Sequence, residues 1–221
     1  MKKHYKKSLL AMVVLTMAIG FCGCSNDNNS DENRTDQLSV GDQYLQHVLE
    51  SYVDNTVNPT YSSLAKESTD LYSSISNLLS ASQKNAVTQD MVDNACKSWK
   101  NARSYYESSE AFLLGAASDY DIDPHIDTWP LDLSGFHSQL TNKSMVKRLS
   151  GDDGDVVANG DLGQTLLGFH GIEFILFRDG QPRKASELNA DGHDSWNRNC
   201  LDFTQLSGDY ELTFAKAVAG D

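Results

Sequence analysis

A histidine and a glutamate stand three residues apart in Gly168-Phe169-His170-Gly171-Ile172-Glu173, inside the apolar stretch 162–177. That spacing puts an imidazole and a carboxylate on one face of a helix, one turn apart. An ionisable pair in apolar surroundings is costly unless it is compensated, and a metal ion is a good compensator. A helix running unbroken from Leu162 would place Leu166 at about 40°, His170 at about 80°, Glu173 at about 20° and Phe177 at about 60°. The pair is then expected among bulky apolar side chains. Gly168 and Gly171 fall on the far side, where they would let another backbone approach. The alternative is a core histidine bonded to a nearby carboxylate with no ligand.

A second His-x-x-Glu, His47 to Glu50, reads differently. Its helix carries an apolar stripe of Tyr44, Leu45, Val48, Leu49 and Tyr52, and the pair faces away from it. A solvated pair is expected there. Further candidates lie on an upstream helix, where Arg103 and Glu110 are seven residues apart. They share the edge of an apolar stripe, a position from which side chains reach a neighbouring helix across a cleft. An ordinary, partly exposed flank is the competing reading. His-Glu-x-x-His, Gly-x-Ser-x-Gly and Cys-x-x-Cys are all absent from the sequence, which removes the usual zinc-protease, serine-hydrolase and thiolate-metal signatures.

The elements that must position these groups read as all-α, an antiparallel helical bundle. One helix is expected from about Val40 to Val57, stopping near Pro59, and a second over 60–81 with a stripe of Tyr61, Leu64, Ser68, Leu71, Ile75 and Leu78. Thr88 is the expected N-cap of a third, which carries Met91, Ala95, Trp99, Ala102, Tyr106 and Leu113 inward and ends before Gly115. A long acidic loop is expected over 116–131, lacking EF-hand spacing. Asp132 would cap a fourth helix reaching Arg148. A flexible acidic connection over 151–161 would follow, then the helix with His170 and Glu173, and a last helix from about Ser195. No strand alternation is evident.

The N-terminus reads as a targeting signal. Lys2, Lys3, Lys6 and Lys7 precede an apolar run over 8–21 that is short for a membrane span. Residues 1–23 resemble a bacterial lipoprotein signal, with Cys24 as the lipidated residue. Residues 24–38 read as a flexible tether, and 39–221 as the helical domain. The chain has 18 basic and 31 acidic residues, a net of −13; losing the four signal lysines leaves 14 against 31, or −17. So acidic a chain disfavours nucleic acid, and membrane attachment would come from the acyl anchor. Of the remaining cysteines, Cys96 and Cys200 do not demand a disulfide.

The His170 segment, continued through Phe174-Ile175-Leu176-Phe177, resembles the Gly-x-His-x-x-Glu signature of the imelysin family. Trp99, Arg103, Tyr106, Glu110 and Phe112 look like its Trp-Arg-Tyr-Glu-Phe helix, and Asp127-Thr128-Trp129-Pro130 is similar to its Asp-x-Trp-Pro segment. The resemblance implies a cell-envelope protein with a metal-associated cleft; with the lipoprotein signal, it is expected to be lipid-anchored at the outer membrane, facing the periplasm or surface. It implies a role in iron binding or uptake and partners in iron uptake. A zinc-dependent peptidase and a metal-free interaction module are the alternatives. His170, Glu173 and Glu110 would be ligands to iron or zinc, with Arg103, Gly168 and Asp127 lining the cleft. The two donors of the motif are too few for a catalytic zinc, which takes three from the protein. The reversed order of His and Glu argues against a di-iron oxidase. The family has two packed bundles, so the resemblance also implies a domain incomplete at its C-terminal end.

Overall fold

The computed structural model describes residues 38–221. The expected signal at 1–23, Cys24 and the tether up to residue 37 lie outside the described residues. Ten α-helices are seen among the described residues, with two short β-hairpins.

Helix α1, Val40–Tyr52, begins at Ser39, whose hydroxyl accepts from the Asp42 N–H at 3.1 Å. It does not end near Pro59. A π-helical turn, Val53–Val57, carries the chain into α2, Asn58–Ser82, with right-handed helical backbone at every junction. Pro59, in the first turn of α2, has no N–H to give to the preceding turn, and the wider π-helical turn lies directly before it. Helix α3, Gln89–Ser109, starts at Thr88, whose side chain accepts from the Met91 N–H. Ser74 meets Ser98 at 3.1 Å and Asn101 donates to Glu67 at 3.1 Å, a register that makes α2 and α3 an antiparallel pair. Leu71, Ile75 and Leu78 face Ala95 and Ala102 in the core, as their helical spacing requires.

The expected acidic loop contains two short helices, α4 (Ala116–Asp119) and α5 (Ile122–Ile126), before a cis Trp129–Pro130 peptide. Asp132 does cap a helix, accepting from Gly135 N–H at 2.9 Å, but that helix, α6, spans only Leu133–Thr141. Asn142 divides it from α7, Lys143–Leu149: its side-chain oxygen takes the N–H groups of Ser144 and Met145 and so starts a new helix. The connection expected to be flexible forms α8, Gly154–Asp161.

The largest departure concerns the helix with His170. It does not run from Leu162. A 3-10 turn, Gln164–Leu166, precedes α9, Gly168–Leu176. Helix α9 leads into the hairpin of β1 (Phe177–Arg178) and β2 (Gln181–Pro182). A second hairpin, β3 (Asn197–Arg198) and β4 (Leu201–Asp202), occupies the start of the expected last helix, which is α10, Gly208–Gly220. Helix α10 packs against α2, α8 and α9. Phe169, Ile172 and Ile175 of α9 thereby join Leu212 and Phe214 of α10 in one core.

Candidate functional site

The site begins with a glycine. Gly168 opens α9 with φ of +68°, a left-handed backbone that side chains rarely adopt. A Cβ there would run into the Ile126 carbonyl. The end of α5 therefore lies directly on the start of α9, and the next residue, Asp127, is delivered to His170. Asp127 Oδ1 lies 3.1 Å from His170 Nε2. Glu173 Oε2 lies 3.1 Å from His170 Nδ1. The imidazole is thus held between two carboxylates, one from its own helix and one from the residue that follows α5. Gly171 allows a second close approach, since a Cβ there would sit 2.6 Å from the Leu166 carbonyl oxygen.

The phase of the helix differs from that expected. Within α9 the buried positions are Phe169, Gly171, Ile172, Ile175 and Leu176. His170 and Glu173 share a face, but it is the opposite one. Leu162 and Leu166, on which the expected phase rests, lie outside α9, so the bulky stripe they define is not a face of that helix. The His170 side chain is 16% exposed and that of Glu173 43%, so the pair is partly open to solvent and is not sealed in the core.

Helix α3 supplies the next layer. Arg103 donates to Asp127 Oδ1 and pairs with Glu107 at 2.6 Å, one helical turn on. Its guanidinium lies over the rings of Tyr106 and Phe169, 5.2 and 5.4 Å from their centroids. Burial pulls the Arg103 pKa down, but Asp127 and Glu107 outweigh it and hold it above its ordinary value. The Tyr106 hydroxyl donates to Asp123. Burial, then that bond and the surrounding carboxylates, raise the Tyr106 pKa, so the phenol keeps its proton. The Trp99 indole N–H donates to the Phe169 carbonyl at 2.9 Å and ties α9 to α3. The Trp129 ring lies against His170, centroids 4.7 Å apart.

The structure therefore gathers His170, Glu173, Asp127 and Arg103, with Gly168 setting their approach. Glu110 stands apart. It opens the 3-10 turn Glu110–Phe112 and is exposed, and among the described residues it has no hydrogen bond or ion pair with this cluster. The helical wheel that paired it with Arg103 runs past the end of α3. Sequence reasoning missed Glu107, Tyr106 and Asp123 as participants. The signals were present: Glu107 is four residues from Arg103, and Asp123 is four from Asp127. His47 and Glu50 are exposed, and Glu50 accepts from Gln46.

The donors suit a metal ion in kind. His170 offers an imidazole nitrogen, and among the described residues no donor bonds to the second oxygen of Asp127. A carboxylate on the far ring nitrogen is the usual support for a metal-bound histidine. In number the set is short: no group of three His, Cys, Asp or Glu side chains among the described residues is arranged to hold a metal.

The same residues carry a family signal. The profile of the imelysin peptidase family matches residues 57–221. The chain belongs to the imelysin family. Iron-regulated protein A of Synechococcus elongatus is 27% identical over 135 residues, covering 61% of this chain and 32% of that protein. A crystal structure from Parabacteroides distasonis, described as an iron-regulated protein A precursor, superposes with a TM-score of 0.59 at 27% identity, covering 84% of this chain and 43% of that one. An imelysin peptidase from Bacteroides ovatus gives 0.54 at 36% identity, covering 65% and 39%. The chain thus spans less than half the length of each of these relatives, and the all-helical imelysin fold expected from sequence is the fold observed.

Proposed function

We propose that this chain is a cell-envelope lipoprotein, anchored through Cys24, that handles iron, and that its metal site is built on Asp127 and His170. The supporting observation is the order of contacts around one imidazole. Glu173 takes Nδ1 and so orients the ring, while Nε2 faces Asp127. In this reading Asp127 and His170 hold the ion, Glu173 is the orienting carboxylate, and Arg103 fixes Asp127. Water, or ligands that the ion brings with it, complete the coordination. The iron-related names of two relatives favour iron over zinc. The metal, when bound, supplies a Lewis-acidic centre at the cleft edge.

Calorimetric titration with ferrous, ferric and zinc ions tests this. His170→Ala and Asp127→Asn should abolish binding, and Glu173→Gln should weaken it about 10- to 100-fold. Binding that survives His170→Ala unchanged, or no binding of any ion, ends the proposal. Incorporation of a labelled fatty acid, lost in Cys24→Ala, checks the anchor.

A zinc-peptidase reading draws on the Bacteroides ovatus relative, described as an imelysin peptidase. It needs three protein ligands, an open position and a general base. The described residues offer no such set. Chelator-sensitive cleavage of an unfolded protein, lost in Glu173→Gln, would reverse this order of preference.

A further inference from the structure

The C-terminal end of helix α9 is held by side chains that lie beyond it. No glycine follows it, and Phe177 leaves the helix in an extended conformation. Its last carbonyls are instead taken by two arginines. Arg178 Nη1 donates to the carbonyls of Phe174 and Phe177. Arg183 Nη1 donates to the Ile175 carbonyl at 3.2 Å, and the Arg183 main-chain N–H to the Leu176 carbonyl at 3.0 Å. Two positive charges at the negative end of a helix are well placed.

Arg183 is buried and Arg178 largely so, and both are held by acids. Arg183 makes a two-pronged bond to Glu211 of α10, at 2.9 and 3.1 Å. Arg178 does the same to Asp194, with Nε at 3.1 Å from Oδ1 and Nη2 on Oδ2. Cross pairs at 3.7 Å, Arg178 to Glu211 and Arg183 to Asp194, close a ring of four. The side chains of Asp194, Glu211 and Arg183 are 0% exposed. Glu187, from the 3-10 turn 185–188, adds a third carboxylate at 3.2 Å on Arg183 Nε. The groups facing Glu211 are therefore Arg178, Arg183 and Asp194, with Glu187 behind Arg183.

Three carboxylates face two guanidinium groups, so the cluster holds one more acid than it has cations to pair with. An ionised carboxylate left over in the core is costly, and a proton on one of the two fully buried acids removes that charge. Asp194 already accepts from Arg178 twice and from the Trp196 N–H at 2.8 Å, which marks it as the ionised partner. We infer that Glu211 and Asp194 form a buried acid pair that holds one proton on Glu211 and, through Arg178 and Arg183, positions the end of the helix carrying His170 and Glu173. This goes beyond the metal proposal and does not depend on it.

The electrostatics agree. Burial pushes the Glu211 pKa up and the Asp194 charge adds to this; Arg183 opposes both, and the result is about 7. Asp194 goes the other way. Burial raises it, but Arg178 and Arg183 hold it below its ordinary value. A raised carboxyl pKa gives stability that is full below the unfolded value and is lost as pH rises through the folded one. The cap of α9 should therefore loosen as pH rises past about 7.

Infrared spectroscopy of the whole chain should show the carbonyl stretch of a buried protonated acid that disappears as pH rises through this range. Glu211→Gln, which mimics the protonated form, should remove the band, keep the fold and flatten the loss of thermal stability with pH. In wild type, amide exchange in the last turn of α9, corrected for its intrinsic pH dependence, should speed up at least about tenfold across the transition; in Glu211→Gln it should not. The wild-type band needs no variant to fold. Its absence overturns the proposal, as does a Glu211→Gln protein that is less stable than wild type at about pH 5 and keeps the wild-type pH slope.

Discussion

Gly168 carries more of the site than any charged residue. It has no side chain to offer, yet its left-handed backbone and the space at its Cα bring Ile126, and so Asp127, against His170. Gly168→Ala should cost about 2–4 kcal/mol, the sum of a strained backbone and a forced shift of α5, measured by denaturant unfolding. Folding as stable as wild type would mean that the α5–α9 approach is not fixed by this residue. Gly180, which also has positive φ but open space around it, is the matched control. The His-x-x-Glu spacing was legible because three residues make one turn wherever the helix begins. Asp127 was placed near the cleft only by family resemblance, because a partner 43 residues away in sequence leaves no local periodicity.

At the scale of elements, caps were legible and helix starts without caps were not. Thr88 and Asp132 accept from the expected N–H groups because short polar side chains favour that position. Leu167, the residue before α9, makes no side-chain cap bond. An apolar run on both sides of Gly168 hid the break, and the wrong phase followed from it. Helix α1 shows the converse. Its stripe is amphipathic, yet Tyr44, Leu45, Val48, Leu49 and Tyr52 are 42–72% exposed among the described residues. Leu45→Glu with Leu49→Glu should change the unfolding free energy by no more than about 1 kcal/mol. Leu78→Ala, at 0% exposure in α2, should cost about 2–5 kcal/mol. Equal losses in the two variants would show that α1 is packed in solution.

In the whole molecule, α3 and α10 divide the work of holding α9. The first grips its N-terminal half through Trp99 and, by way of Asp127, Arg103. The second grips its C-terminal end through Glu211 and the arginines. The helical periodicity indicated a bundle, and the bundle is there. What it did not reveal is that its short polar-rich segments form helices and hairpins of their own, since each is too brief for periodicity to register. The acidic surplus belongs to this scale too: a net of −13 favours cations over anionic surfaces near the protein.

The contact between Trp129 and His170 has a practical consequence. Trp129 is 71% exposed, and its ring is the indole that lies against the histidine. Its light emission should report the electronic state of the imidazole beneath it, so that occupancy of the cleft can be followed in unlabelled protein, with Trp129→Phe as the blank.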